Sequence, residues 1–445
     1  MKQLYLVSLG CAKNLVDSEV MLGLLEKQGY TVVREPEDAD LLLVNTCGFI
    51  GSAVEEAIDE ILALAEYKKQ DQRKRLVVTG CLVQRYGGEL ARELPEVDLF
   101  IGTDGFQNIA ELLGDEKTAA GFVPVEREPS FLMNSSLPRK VSTPAHRAYL
   151  KVTEGCSNRC SYCLIPSIRG PLRSRPIPDL LSEAKKLQGL GVKELTLVAQ
   201  DLLAYGLDLQ KDDNLQQLLQ AILTETGIPW LRLLYLHPVR LRRDFLSFVA
   251  DNPRILPYFD IPVQHCNDRI LRLMNRPYGR ERLDTILAAI HAIVPEAAVR
   301  TTLMVGFPGE GEDEFEELLE FLRISRFDHV GVFSYENEEG SMAENLPDHC
   351  SEEIKEERRC RLMEFQAEIS LQLQQRYVGR IEKVLVEGLS RESDLLVEGR
   401  TRFQAAEIDG CVYITSGDTR QGEIVDVKIT EAHHYDLLGE IFGPG

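Results

Sequence analysis

Three segments in the first 81 residues share one pattern, in which a short apolar run ends at a cysteine. They are LYLVSLGC, DLLLVNTC and RLVVTGC, which end at Cys11, Cys47 and Cys81. Helical patterns lie between them, such as NLVDSEVMLGLLEKQG with Gly29 as a stop signal. Strands that alternate with helices form a parallel sheet, and the loops that follow such strands meet along one edge. We therefore predict that the three thiols converge on a common site.

A cysteine at the end of a strand is, taken alone, more often a small buried hydrophobe than a ligand. Three repeats of one pattern favour a shared site instead. The 10 cysteines of the chain do not suggest a disulfide framework, because MKQLYLVSLG lacks the features of a secretory signal. No apolar run approaches the roughly 20 residues of a membrane span. We therefore place the protein in the cytoplasm, where thiols stay reduced.

The chain of 445 residues is too long for one hydrophobic core and is expected to divide into several units. Residues 1–121 are predicted to form the α/β domain with a parallel sheet. Residues 122–145, with prolines, serines and little periodicity, read as a linker. Residues 146–375 are predicted to form a partial TIM-like (β/α) barrel, whose working residues sit at the carboxyl ends of the strands. Residues 376–445 show short strands and turns, which predicts a small antiparallel β-barrel.

The barrel prediction depends on six apolar runs separated by helical patterns such as DLLSEAKKLQGLG and ERLDTILAAIHAIV. The six strand candidates are AYLKVT, ELTLVAQD, WLRLLYL, YFDIPVQ, VRTTLMVGF and HVGVFSY. A charged amphipathic helix over residues 352–376 closes this part of the chain.

The strongest chemical signal is EGCSNRCSYC, which places Cys156, Cys160 and Cys163 in a C-x-x-x-C-x-x-C arrangement after the first barrel strand. Iron–sulfur clusters are held by thiolates, and three thiolates leave one iron open to a substrate or cofactor. Structural zinc is the alternative, but it requires four ligands. The following LIPSIRGPLRSRP contains neither Cys nor His, so we rank a cluster above zinc.

At this motif the sequence resembles the radical S-adenosylmethionine (SAM) superfamily. The resemblance implies that the triplet holds a [4Fe-4S] cluster whose free iron binds SAM. It also implies that cleavage of SAM yields a 5'-deoxyadenosyl radical that removes hydrogen from an unactivated carbon. Tyr162, just before the last cysteine, matches the superfamily's loop. TTLMVGFPGE resembles its glycine-containing strand near the adenosyl group, which makes Gly306 a predicted SAM contact.

Polar residues at three further positions are candidates for the cofactor pocket. Gln200 in LVAQD and Gln264 in IPVQHC lie at the ends of predicted strands, where barrel enzymes hold ligands. Arg300 has the charge to meet a carboxylate. Ordinary structural hydrogen bonds are the alternative for each. No general base is assigned, since an unactivated carbon has no acidic proton to remove.

The three-part layout resembles the methylthiotransferases, with a C-terminal TRAM module. This resemblance implies that Cys11, Cys47 and Cys81 bind a second [4Fe-4S] cluster, at which a methylthio group is passed to the substrate. One SAM then supplies the methyl group and another the radical. The sequences SLGCAKNLVDSEVM, YCLIPSIRGPLRSRP, DIPVQHCNDRILRLMNR and VDVKITEAHHYDLLGE resemble the branch that modifies the β-carbon of an aspartate in ribosomal protein uS12. Leu202, after Asp201, departs from the small polar residue expected there.

Charge supports a protein substrate over RNA. The formal net charge is −21, and residues 376–445 contain 8 Lys and Arg against 13 Asp and Glu. A module that clamps RNA is expected to be basic, whereas an acidic one suits a basic ribosomal protein. Two alternatives stay open, namely a transfer-RNA adenosine methylthiotransferase and a non-catalytic RNA-binding or scaffold protein with structural zinc. The expected partners are uS12 and a reducing electron donor such as flavodoxin or ferredoxin, with no membrane.

Some residues are left without a role by the sequence. His433 and His434 are interpreted as a surface or packing feature. The four cysteines outside the two triplets receive no assignment; they are Cys266, Cys350, Cys360 and Cys411.

Overall fold

The fold was analysed in a computed structural model that describes residues 2–114, 121–125, 128–209, 213–390, 393 and 396–443. The first unit is a six-stranded parallel sheet in the order β2-β1-β3-β4-β5-β6. The predicted alternation of strands and helices is confirmed. Its elements are β1 Lys2–Ser8, α1 Ala12–Lys27, β2 Tyr30–Val32, β3 Leu41–Thr46, α2 Gly51–Gln70, β4 Arg75–Gly80, α3 Cys81–Glu93, β5 Leu99–Ile101, α4 Ile109–Gly114 and β6 Gly121–Phe122.

The second unit contains six parallel strands with helices between them, as predicted. They form two three-stranded sheets, β11-β10-β7 and β12-β13-β14, and a parallel bridge between Leu231 and Ile255 joins the two. The row ends at β7 and β14, so the barrel is partial. Its elements are β7 Arg147–Lys151, β8 Thr153–Glu154, α5 Ile165–Arg169, β9 Arg173–Ser174, α6 Ile177–Gly189, β10 Glu194–Val198, α7 Leu215–Glu225, β11 Trp230–Leu233, α8 Arg243–Asp251, β12 Tyr258–Asp260, α9 Asp268–Leu273, α10 Arg280–Ile293, β13 Ala298–Val305, α11 Glu312–Ser325, β14 His329–Ser334 and α12 Glu352–Gln374.

The third unit is a closed five-stranded barrel in the order β15-β16-β17-β19-β18. One pair differs from the predicted antiparallel arrangement, because β17 and β19 run parallel. The cause is topological: β18 is antiparallel to β15 and β19 is antiparallel to β18, so β19 enters beside β17 in the same direction. The elements are β15 Ile381–Leu389, β16 Val397–Thr401, β17 Val412–Ser416, β18 Ile424–Ala432 and β19 Leu437–Ile441.

The first unit covers the carboxyl ends of the central strands. Lys13 in α1 donates to the carbonyl of Ala199, just after β10, at 3.4 Å. On the other side of the opening, Arg85 pairs with Glu338, after β14, at 2.8 Å. Contacts at both sides hold the first unit over the end of the barrel where ligands bind in this architecture.

The third unit closes the opposite end of the same strands. Arg400 from β16 lies 2.7 Å from Glu194, the first residue of β10. Asp409 lies 3.5 Å from Arg300 and accepts a 2.6 Å hydrogen bond from Tyr258, the first residue of β12. The two outer units therefore occupy opposite ends of the central barrel.

Candidate functional site

Cys11, Cys47 and Cys81 follow three strands that are neighbours in the sheet. Cys47 comes directly after β3, Cys81 directly after β4, and Cys11 three residues after β1. Gly10 adopts a φ of +85°, and a Cβ there would lie 2.8 Å from the Cβ of Cys47. Gly48 is packed against the start of α3, where a Cβ would lie 2.9 Å from the carbonyl carbon of Cys81. The structure therefore brings the three cysteine-bearing loops into direct contact.

The Cys81 thiol is buried and has a charged partner. Burial raises its pKa to about 11; the charge of Arg169 opposes this rise, and the charges of Cys47 and Cys11 add to it. The Arg169 Nε lies 3.3 Å from the Cys81 sulfur. Arg169 belongs to α5, which follows the second cysteine group, so this contact joins the first unit to the second.

Hydrophobic packing places the two cysteine groups side by side. Cys81 forms a buried cluster with Leu164 and Ile168. Leu164 is the residue after Cys163, the last cysteine of the triplet. Cys81 of the first group therefore packs on the residue next to Cys163 and on the helix that follows it.

The triplet lies on a loop that is held at several points. The Cys156 amide donates to Gly170 O at 3.0 Å, and Gly155, with a φ of +69°, is so close to Pro171 O that a Cβ would lie at 2.2 Å. Burial raises the pKa of Cys163 to about 12, and the charges of Cys160 and Cys156 add to the rise. The loop thus presents three neighbouring thiols at the end of the first barrel strand.

Tyr162 is anchored by a buried arginine. Arg276 donates to the Tyr162 hydroxyl at 2.7 Å and contacts His237 Nε2 at 2.8 Å. Burial, with the charges of Arg276 and Arg240, lowers the pKa of His237 to about 2, so its imidazole is neutral and accepts from Arg276. Tyr162 also packs edge-on against Phe307, with ring centroids 6.5 Å apart.

Gln200, Gln264 and Gly306 follow β10, β12 and β13, at the same end of the barrel as the triplet. Gln264 has a φ of +68° and bridges to Leu303 on β13. The Gly306 amide donates to Glu310 Oε1 at 2.9 Å. Their position at the same end of the barrel as the triplet agrees with the predicted SAM contacts, which stay a prediction.

Arg300 lies elsewhere. It precedes Gly306 by six residues on an extended strand, which is roughly 20 Å at about 3.3 Å per residue. Its guanidinium lies 3.0 Å from Asp260 and 3.5 Å from Asp409 of the third unit. These contacts give no support to the predicted SAM contact and assign Arg300 to the interface at the barrel's other end.

A cavity of about 190 Å³ opens beside the triplet and is lined by residues that include Cys156, Asn158, Asp201 and Arg240. Asn158 donates to Asp201 Oδ2 at 2.9 Å, and Arg240 donates to the same oxygen at 2.5 Å. Asp201 Oδ1 and Gln200 Oε1 are buried and have no hydrogen-bond partner among the described residues. Unpartnered oxygens next to a thiol group fit a polar cofactor such as SAM.

Within the described residues, no three His, Cys, Asp or Glu side chains are grouped as ligands of a single metal ion. In a [4Fe-4S] cluster each thiolate binds a different iron. Two groups of three neighbouring thiols fit such clusters. In the same part of the chain, no helix is long and apolar enough to cross a membrane.

Comparison with known proteins matches each unit separately. The family described as "Uncharacterized protein family UPF0004" matches residues 3–102, the radical SAM superfamily matches residues 150–322, and the TRAM domain matches residues 378–442. The ribosomal protein uS12 methylthiotransferase RimO of Desulfotalea psychrophila is 56% identical over 443 residues, which covers 98% of each chain. The chain belongs to the RimO family. The RimO of Pelobacter propionicus is 47% identical over 436 residues, 98% of this chain and 97% of its own.

Solved structures agree with the fold of this RimO family member. The radical SAM methyltransferase TsrM from Kitasatospora setae, with cobalamin and a [4Fe-4S] cluster bound, aligns with a TM-score of 0.54 at 14% identity. The alignment covers 86% of this chain and 81% of TsrM. At this identity the likeness concerns the architecture alone.

Three residues of the site were not predicted as site residues, although each lies in a segment that carries the family resemblance; they are Arg169, Arg276 and Glu310. Arg169 and Arg276 contact partners that are distant along the chain, and Glu310 accepts from Gly306, four residues earlier. The four cysteines outside the triplets have other surroundings; Cys266 and Cys350, for example, donate to backbone carbonyls at 3.5 Å.

Proposed function

We propose that this chain attaches a methylthio group to the β-carbon of an aspartate in ribosomal protein uS12, the protein named in its relatives. Because its substrate is a ribosomal protein, we place the enzyme in the cytoplasm. We further propose a flavodoxin or ferredoxin as its reductant. The observation that carries the proposal is the proximity of two groups of three cysteines at the end of the barrel covered by the first unit. The helix α5, which follows the second group, packs on Cys81 of the first group, so the two groups are neighbours in the fold.

We assign Cys156, Cys160 and Cys163 to one [4Fe-4S] cluster and Cys11, Cys47 and Cys81 to a second. When bound, the first cluster and SAM supply the radical chemistry, and the second supplies the site of methylthio transfer. Within this arrangement, residues 1–121 act as the auxiliary cluster domain, residues 146–375 as the radical SAM domain and residues 376–445 as the TRAM domain, with residues 122–145 as linker.

The other side chains position the cluster loop and the bound cofactor. Arg276 fixes the Tyr162 ring beside the triplet, and Glu310 holds the amide of Gly306. Asp201 lines the cavity, and Asp201 Oδ1 and the neighbouring Gln200 Oε1 are buried acceptor oxygens. Polar groups of this kind fix the orientation of a ligand.

The experiment is mass spectrometry of uS12 and of bulk transfer RNA after anaerobic incubation with the reconstituted enzyme, SAM and dithionite. We expect a methylthio mass gain on one aspartate peptide of uS12. A gain confined to adenosine in transfer RNA would keep the chemistry and overturn the substrate.

Cysteine variants separate the two sites. Cys160→Ala should abolish cleavage of SAM, whereas Cys47→Ala should retain partial cleavage and lose methylthio transfer. Cys360→Ala on α12 is the matched control, since this thiol lies outside both cysteine groups and contacts its neighbours Glu356 at 3.3 Å and Arg359 at 4.0 Å. Equal loss of cleavage in Cys160→Ala and Cys47→Ala would contradict separate roles for the two groups.

A further inference from the structure

Arg169 is the last residue of the helix that follows Cys163, and its guanidinium contacts Cys81 of the other cysteine group directly. We propose that Arg169 is a positioning residue that holds the Cys81 thiolate and raises the reduction potential of the cluster bound by Cys11, Cys47 and Cys81. This inference rests on the proposed function, because it requires a second cluster at those thiols.

The orientation of Arg169 is fixed by four contacts. Its Nε lies 3.3 Å from Cys81 Sγ. Its Nη1 lies 2.7 Å from Asp17 and 3.1 Å from Glu154, and its Nη2 lies 3.0 Å from Asn14. The planar guanidinium has no rotational freedom left once these bonds are made, so the Nε hydrogen points at the sulfur.

The carboxylates that hold Arg169 are themselves neutralised. Lys151 lies 2.6 Å from Glu154 and also pairs with Asp17. Two cations therefore face two carboxylates, and the negative charge of a Cys81 thiolate is met by the Nε hydrogen bond. Side chains of Lys151 and Arg169 are 1% and 3% exposed, so solvent screens this charge arrangement weakly.

A hydrogen bond to a ligand sulfur affects the redox properties of an iron–sulfur cluster. One-electron reduction adds negative charge, which a donor and a cation beside the sulfur stabilise. Arg169 therefore favours the reduced cluster. Arg169 is the last residue of α5 and lies six residues after Cys163. The helix that follows the triplet therefore supplies the hydrogen-bond donor to Cys81 in the other cysteine group.

Arg169→Lys tests the proposal, because lysine keeps the charge but lacks the fixed Nε donor. We expect a more negative reduction potential for the second cluster in an EPR-monitored titration with dithionite. The titration uses the full chain with Cys156, Cys160 and Cys163 replaced by Ala, so that one cluster gives the signal.

Arg175→Lys is the matched control. Arg175 is fully buried and pairs with Glu183 at 2.5 Å and Asp179 at 2.7 Å, the same kind of environment without a contact to sulfur. Its substitution should leave the potential unchanged. An equal shift in both variants, or no shift in Arg169→Lys, would overturn the proposal.

A second measurement needs no variant at position 169. In the same full-length background, labelled with ¹⁵N-arginine, pulsed EPR of the reduced cluster should detect a nitrogen coupling through the sulfur. A cluster that assembles without this coupling overturns the role of Arg169 alone. Failure of Cys11, Cys47 and Cys81 to bind iron and sulfide overturns the second cluster of the proposed function, and this inference with it.

Discussion

Replacing Glu194 with Gln should loosen the third unit from the base of the barrel. The Glu194 carboxylate is 1% exposed and pairs with Arg232 at 2.5 Å and with Arg400 at 2.7 Å. Gln has nearly the same shape but no charge, so two buried guanidinium groups lose a shared counter-charge. Among the described residues, Arg400 keeps its ion pair with Glu387 at 2.5 Å and its hydrogen bond to the Gln404 carbonyl at 2.9 Å.

The size of the effect follows from the carboxylate's pKa. Burial opposes the charged form, yet Arg232 and Arg400 lower the pKa of Glu194 from its usual 4.5 to about 2. At 1.36 kcal/mol for each pKa step, this difference amounts to about 3 kcal/mol. Removal of one partner from a buried ion pair typically costs about 3–5 kcal/mol, which agrees.

Hydrogen exchange followed by mass spectrometry is the suitable assay, because it reports opening of one unit within the full chain. A loss of about 3 kcal/mol corresponds to roughly 100-fold faster exchange through opening of the interface. We expect this acceleration in β15 and β16, with the sheet of the first unit unchanged.

Glu296→Gln is the matched control at the same interface. Glu296 pairs with Arg402 at 2.7 Å, but its side chain is 62% exposed. Pairs of this kind contribute at most about 1 kcal/mol. If Glu194→Gln accelerated exchange no more than Glu296→Gln does, the calculation from burial and charge would be refuted.

Three further outcomes are expected. Because the folded-state pKa of Glu194 is lowered, its contribution is complete above pH of about 4.5 and disappears as the pH falls toward about 2; thermal unfolding across this window should therefore be less pH-dependent in Glu194→Gln than in the parent. Gly10→Ala should reduce the iron and sulfide content at the Cys47 site, because the new Cβ would lie 2.8 Å from the Cys47 Cβ. Gly29→Ala is the control, since Gly29 has the same φ of +85° but nothing within 4 Å of the new Cβ. It should lower the free energy of unfolding by only about 1–2 kcal/mol and retain full iron content. Arg276→Lys should weaken SAM binding about 10-fold in calorimetric titration with iron content unchanged, since it removes the charged hydrogen bond to the aromatic side chain of the cluster loop; undiminished affinity would contradict that positioning role.

The strand ends were predictable because their signals are local. An apolar run followed by a cysteine defines both the strand and the place where it stops, and parallel pairing then brings the ends together. The observed register, with Ser8 opposite Asn45 and Thr46 opposite Gly80, aligns the ends of β1, β3 and β4. No knowledge of distant contacts is needed for that step.

Arginine roles could not be predicted in the same way. Arg169 and Arg300 are each preceded by an apolar residue and give no periodic signal. One contacts Cys81, which is 88 positions earlier, and the other contacts Asp409 in the third unit. A charged side chain's role depends on which carboxylate or sulfur the tertiary fold places beside it, and local sequence does not contain that information.

The position of the third unit limits what it can do in the reaction. The side chains of its Arg400 and Asp409 contact the first residues of β10 and β12, whereas both cysteine groups lie at the other end of the strands. A barrel strand carries its chemistry at the carboxyl end, so the TRAM barrel has no access to the reacting atoms through this interface. Any contact with substrate must therefore use its outward faces. It follows that Glu194→Gln should accelerate hydrogen exchange in the third unit while the iron and sulfide content stays at the parent value. Variants beside the cysteine groups, such as Arg169→Lys, should instead alter the cluster itself.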